Sequence, residues 1–224
     1  MKAKSILLIA IILLCNSCIL KSLQPFYIAK AIAYEKLLIG EWQDNNKNQW
    51  AITSLEDKFK QEQKDSSSIS KEEIQFFKKH EKGYFISYTK DNKVTEFIAM
   101  PFKINNQILL DVMLFEFDNG LNNLTQNHLL PIHSVAKIDL LPNNEIVITW
   151  LAENNVLELI REGKIKIKHE IMGILQNLIL TENSEDLYNF LTKYVTAKDE
   201  TIWSKTYKYK LVRSSTKTNN NNEN

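Results

Sequence analysis

The sequence predicts a mainly β domain, an antiparallel barrel or sandwich of about eight strands with two short helices. Three observations carry that expectation. Apolar residues make up 44% of the 224 residues, enough for a real core. Short runs of β-branched and aromatic residues recur through the middle of the chain, separated by turns rich in Asn, Asp or Gly. Near the end, Tyr207, Tyr209 and Leu211 alternate with Lys208 and Lys210, the period of a half-buried strand.

The first seventeen residues read as a targeting segment. Lys2 and Lys4 form a short positive stretch, and Ile6 to Leu14 is an unbroken apolar run. That run has the length of a signal-peptide core and is too short to span a bilayer as a helix. Cys15-Asn16-Ser17-Cys18 follows and resembles the lipobox of bacterial lipoproteins, in which the cysteine after the cut is acylated. The resemblance implies cleavage before Cys18 and lipid attachment there, palmitate or a similar acyl group included. It departs from the usual pattern at Cys15 and Asn16. Two other readings stay open: cleaved soluble export, and an uncleaved anchor extended by Ile19 and Leu20. Both cysteines lie within the first eighteen residues, so a domain starting at Cys18 has no internal disulfide. Such a chain carries 26 basic against 27 acidic residues.

Residues 18–39 form a tether with a short helix expected over Ile28 to Leu38, ahead of Gly40. The strands follow in order. Gln49 to Thr53 comes after the turn Asn45-Asn46-Lys47-Asn48. Tyr84 to Thr89 follows Gly83 and ends at Asp91-Asn92, a hairpin-type turn. Val94 to Ile104 restarts as a strand in which Pro101 implies an edge or a bulge. Asn105-Asn106 turns the chain into Gln107 to Phe117. Val135 to Leu141, the turn Pro142-Asn143-Asn144, and Ile146 to Trp150 make a further hairpin.

Two helices interrupt this pattern. Asn155 is the expected cap of one, carrying Val156, Leu157, Leu159 and Ile160 and stopped by Gly163, over about 155–162. Ser184 is the expected cap of the other, over 184–195, with Leu187, Phe190, Leu191 and Tyr194 on one face. Glu72-Glu73 and Glu185-Asp186 suit helix starts through the helix dipole. Ile171 to Leu180 reads as one strand. Tyr207 to Val212 closes the domain, giving a barrel over 40–213. Lys64 to Ser70 reads as a surface loop, and the polar tail 214–224 as disordered.

Gly40-Glu41-Trp42 resembles the Gly-x-Trp signature that opens the first strand of lipocalin-like barrels. In that family the Trp plugs the closed end and a late Arg packs across it. Arginine occurs here only at Arg161 and Arg213, and Arg213 ends the expected last strand. The resemblance therefore implies barrel closure by Gly40, Trp42 and Arg213. A second resemblance spans roughly Gly40 to Arg213. Phe102-Lys103-Ile104, Leu130-Pro131-Ile132-His133-Ser134, Trp150-Leu151 and Leu180-Thr181-Glu182-Asn183-Ser184-Glu185-Asp186-Leu187 look like blocks of an uncharacterised group of bacterial envelope lipoproteins. It implies an envelope location and no particular activity.

Little in the chain suggests chemistry. Formal charge +1 excludes the basic excess that nucleic-acid binding needs. His128 and His133 are five apart, which suits neither one helix face nor one strand face, and no Cys is at hand as a further ligand. There is no Gly-x-Ser-x-Gly elbow and no Gly-rich phosphate loop. Asp111 sits in an apolar strand, where a carboxylate needs a partner. The expectation is a non-enzyme with no catalytic residue, no metal site and no cofactor. Its lipocalin-like domain would bind a small hydrophobic ligand or an envelope protein; the alternative is a structural or assembly lipoprotein with a filled barrel. An apolar cavity of roughly 300 Å³ inside the barrel separates the two.

Overall fold

The structure, a computed structural model, describes residues 18–65, 70–117 and 130–214. The expected signal segment 1–17, His128, the tail beyond Ser214 and residues 66–69 of the loop lie outside these.

Eight strands close a barrel. They are β2 (Gly40–Asp44), β3 (Gln49–Ser54), β4 (Tyr84–Lys90), β5 (Lys93–Ile104), β6 (Gln107–Phe117), β7 (His133–Leu140), β8 (Ile146–Leu151) and β11 (Trp203–Arg213). Each pairs antiparallel with its neighbour in that order, and β11 returns to β2 with Arg213 opposite Trp42. Closure removes the free edges that an open sheet would expose. Three short strands extend the sheet beyond β7: β1 (Lys21–Ser22), β10 (Asn177–Leu180) and β9 (His169–Met172). Four α-helices complete the described chain: α1 (Leu55–Asp65), α2 (Lys71–His80), α3 (Glu153–Arg161) and α4 (Ser184–Ala197). Among the described residues strand outweighs helix, 43% against 28%, so the fold is mainly β.

The turns follow the residues that tolerate left-handed backbone. Asp91 and Asn92, at φ 49° and 60°, join β4 to β5, and Asn105 at φ 54° begins the turn into β6. Pro101 sits in β5 past the last residue that pairs with β4 and turns its backbone polar edge to that side, where its carbonyl accepts from Ala33 N–H, so its missing N–H costs the pairing with β6 nothing. The register shift in β5 lies instead at Glu96/Phe97.

Strand alternation builds three cores. Inside the barrel, Trp42, Trp50, Ile52, Tyr84, Ile86, Leu110, Ile138, Ile148, Trp150 and Leu211 are buried together. Outward-facing Phe102, Leu109, Val135 and Leu151 meet a second layer formed by Leu20, Phe26, α3, α4 and β10, with Val156, Leu178, Leu187 and Leu191 in contact. On another side, α1 and α2 cover Phe85 and Ile98 with Leu55, Phe76 and Phe77. The wall is therefore apolar on both faces over much of its extent, which explains why several strands read as continuous hydrophobic runs.

Local expectations need four corrections. Ile28 to Leu38 is not one helix but two single 3-10 turns, Ala29–Ala31 and Lys36–Leu38. The barrel claims the intervening backbone: Ala33 N–H donates to the Pro101 carbonyl, and Tyr84 Oη bonds both the amide and the carbonyl of Glu35. Asn155 does not cap α3. Ala152 does, because the Glu153 N–H already finds the Cys18 carbonyl at 2.8 Å, and Asn155 donates to the Thr201 carbonyl instead. The cap of α4 is Asn183, whose Oδ1 accepts from Asp186 N–H, one residue before Ser184. Finally, Ile171 to Leu180 is a hairpin, turned at Gly173 with φ +71°.

The largest gap in the sequence reading is α1; of α2 it had only the start, at Glu72-Glu73, which lie in the first turn. A capping box between Ser70 and Glu73 starts α2. Ion pairs Lys60–Glu56 and Lys58–Glu62, spaced one turn apart, support α1.

Candidate functional site

Gly40, Trp42 and Arg213 come together at the seam between first and last barrel strands. Trp42 is 1% exposed and its Nε1 donates to the Leu38 carbonyl at 2.9 Å. The Arg213 guanidinium carbon lies 3.8 Å from the ring centroid. Its nitrogens donate to the carbonyls of Ile39 and Leu37 at 2.5 and 2.9 Å, so one cation covers the indole and ties down the approach to β2. Gly40 holds φ +136°, and a Cβ built there would overlap Arg213 Nη1. Only glycine satisfies both constraints.

Aromatic rings occupy the barrel interior. Trp50 stands 4.6 Å from Tyr88, 5.6 Å from Tyr209 and 6.2 Å from Trp150, measured between ring centroids. Asp44 anchors this group by accepting from Trp50 Nε1 and from the amides of Asn46 and Asn48. These side chains occupy the interior in which a barrel of this strand number can hold a small ligand.

Titratable groups gather outside the barrel wall. Asp111 on β6 is 2% exposed; its Oδ1 is 2.6 Å from His133 Nδ1 and its Oδ2 accepts from Phe26 N–H at 2.7 Å. Burial pushes the Asp111 carboxyl above the usual carboxylate range, against the pull of His133. Burial, with the Asp111 charge added, also raises the neighbouring Tyr27 phenol to about 12. His80 at the end of α2 bonds the Phe76 carbonyl through Nδ1, and burial lowers its pKa. The Asp111 carboxylate thus has the partner that its apolar strand demanded. The pairing was hidden because His133 belongs to the next strand, across a connection that no local pattern closes. Among the described residues no cluster of three or more His, Cys, Asp or Glu could hold a metal.

A cavity of about 420 Å³ lies outside the wall, between the β5–β6 turn and the C-terminal end of α4. Lys137 on β7 reaches it, 7% exposed, over the Trp203 ring at 5.3 Å and paired to the exposed Glu200. Thr149, level with Lys137 on β8, has a buried Oγ1 without a hydrogen-bond partner. Asn105, Gln107 and Tyr194 also line the cavity. Lys137 belongs to no motif; its one signal in the sequence is a lysine amid Val135, Ala136 and Ile138.

Cys18, the expected lipid site, is half-buried at the start of the described chain. Its carbonyl accepts from Glu153 N–H, and the Glu153 carboxylate in turn takes Lys21 Nζ at 3.2 Å and Leu178 N–H at 2.8 Å. Among the described residues no helix is long and apolar enough to cross a membrane. Compared with protein-family models, with curated proteins and with solved structures, the chain matches none.

Proposed function

We propose that this chain is a non-enzymatic lipoprotein of the bacterial cell envelope, tethered through acyl chains on Cys18. Its lipocalin-like barrel serves as a solid structural or assembly module that meets an envelope partner with its outer surface. One observation carries the reading: Trp42, Trp50, Tyr84 and Trp150 pack the barrel interior, where a carrier of this architecture would keep its ligand. The Gly40–Trp42–Arg213 seam supports the lipocalin-like assignment, and the order Lys2, Ile6 to Leu14, Ser17-Cys18 supports the tether. Two or three acyl chains anchor stably where one does not.

Mass spectrometry of the mature N-terminus tests the tether, with a mass starting at Cys18 plus acyl groups as the expected result. Cys18→Ala should lose acyl labelling and move to the soluble fraction, while Cys15→Ala keeps its label. Membrane retention by Cys18→Ala would overturn the lipid tether in favour of an uncleaved apolar anchor. Native mass spectrometry and solvent extraction of the purified protein test the filled barrel; a stoichiometric apolar molecule would overturn it.

One feature favours a second reading. Lys137 is a buried ammonium whose ion-pair partner is exposed, beside an aromatic ring in a cavity large enough for a small molecule. A small anionic ligand with an apolar body would replace Glu200 there. Thermal-shift screening of carboxylates against wild type and Lys137→Met separates this reading from the first.

A further inference from the structure

The hairpin β9–β10 ends in Met172-Gly173-Ile174-Leu175, with no charged residue at its tip. Soluble surfaces scatter single apolar side chains, but this tip gathers them: Ile174 is 100% exposed, Leu175 84%, Met172 48%. Nothing in the packing of the described chain requires those residues to be apolar. The alternate positions Leu178 and Leu180 carry the hairpin's contribution to the core and are both fully buried.

The tip's position is as informative as its composition. β1 pairs parallel with β10, Lys21 opposite Ile179 and Ser22 opposite Leu180. Followed back three residues, this register carries Cys18 toward the level of Gln176, at the tip end of the hairpin. Glu153 fastens the arrangement, since its amide holds the Cys18 carbonyl and its carboxylate holds Leu178 N–H and Lys21. Lys21 also donates to Asn177 Oδ1 at 3.1 Å, at the base of the same turn. The apolar run Ile6 to Leu14 precedes Cys18 in the sequence. The point where the chain would join a membrane and the most exposed aliphatic side chains among the described residues thus share one end of the domain.

We propose that the Met172–Leu175 tip inserts into the surface of the lipid bilayer to which Cys18 is tethered, as a second contact that sets the domain's orientation. This rests on the lipid tether of the previous subsection. A tether at a single point leaves the domain free to swivel about that point. An adjoining aliphatic tip, buried to the depth of the headgroup–acyl boundary, removes that freedom. Effective concentration at the surface lets a tip too small to bind alone engage once the tether is in place.

The test uses the full lipidated chain reconstituted into phosphatidylethanolamine–phosphatidylglycerol vesicles. Acylation blocks Cys18, so Ile174→Cys supplies one thiol for an environment-sensitive fluorophore. Asn143→Cys, in the exposed β7–β8 turn, is the control. The expected result is flotation of both proteins with the vesicles. The label at 174 should be blue-shifted, quenched by brominated lipid chains and several-fold less accessible to iodide, while the label at 143 stays accessible. Flotation with an iodide-accessible label at 174 overturns the inserted tip and leaves the tether intact. Failure to float overturns the tether and the insertion with it. Shielding at 174 that rises with protein concentration without vesicles overturns the proposal in favour of a second copy of the chain. As a second measurement, Ile174→Asp/Leu175→Asp should keep flotation but lose orientation, read as uniform iodide access around the domain; retained orientation counts against the tip.

Discussion

Arg213 and Trp42 are direct partners across the barrel seam, and the guanidinium carbon lies over the indole, 3.8 Å from the ring centroid. The same cation bonds two backbone carbonyls on the approach to β2, so it joins the two ends of the barrel meander. Trp42→Ala should cost about 3–5 kcal/mol in denaturant unfolding, as a large-to-small change at a fully buried site. Arg213→Ala should cost about 1–2 kcal/mol, because the cation is exposed although it makes three contacts. Arg213→Lys should recover little, since an ammonium cannot serve both carbonyls and stack. Full recovery by lysine would show that charge alone matters there.

Gly40 tests the same seam from the backbone side. Gly40→Ala puts a Cβ both in a left-handed conformation and against Arg213 Nη1. Its destabilisation should exceed about 1 kcal/mol, the ordinary limit for the reverse effect at an unstrained site. Part should be relieved in the Gly40→Ala/Arg213→Ala double variant. Strict additivity would mean that strain at φ, rather than crowding by Arg213, carries the cost.

Asp111 and His133 should behave as one unit. Asp111→Ala strands the imidazole and the Phe26 amide and should cost about 3–5 kcal/mol, the scale for removing one partner of a buried pair. Asp111→Asn should cost less, because an amide of nearly the same volume leaves no cavity and its oxygen can still accept from Phe26 N–H. A double-mutant cycle with His133→Ala measures the coupling; a value near zero would reduce the pair to simple proximity.

His80 predicts a pH dependence. Burial holds the imidazole neutral below its ordinary range; Lys79 and His133 push the same way, and the Phe76 carbonyl and Asp111 oppose. The unfolded chain therefore binds more protons than the folded chain as pH falls below about 6.5, and stability declines there. Asp111 acts oppositely: its raised pKa gives stability present at low pH and lost as pH rises through that value. Thermal midpoints from pH 7 to 5 should fall less steeply in His80→Phe than in wild type, with Asp111→Asn as the background that removes the opposing group. Equal slopes would mean that His80 does not contribute.

Seven of the eight barrel strands were legible in residue pattern alone: six combine β-prone residues with an adjoining turn that contains Asn or Asp, and β11 alternates Tyr207, Tyr209 and Leu211 with lysines. The eighth, β2, was legible only through the Gly40-Glu41-Trp42 resemblance. The helix over 55–65 was not legible. Its stability comes from Leu55 seated on Phe85 and Ile98, partners that lie in strands yet to follow. The hairpin at 171–180 was misread for a similar reason: Gly173 turns the chain, but Ile174 and Leu175 continue the apolar pattern through the turn.

The sequence by itself determined the class of fold, the turns, the seam residues and the candidate lipid site, since these depend on local propensity and on short motifs. Only the tertiary structure decided what faces what. It closed the barrel, brought Trp50, Trp150 and Tyr209 together inside it, and set Asp111 on His133 and Lys137 over Trp203. Those pairings join residues 22 to 159 positions apart. Whether such a pair meets depends on strand register and on which face of the wall each side chain takes, and a shift of one residue would reverse the face.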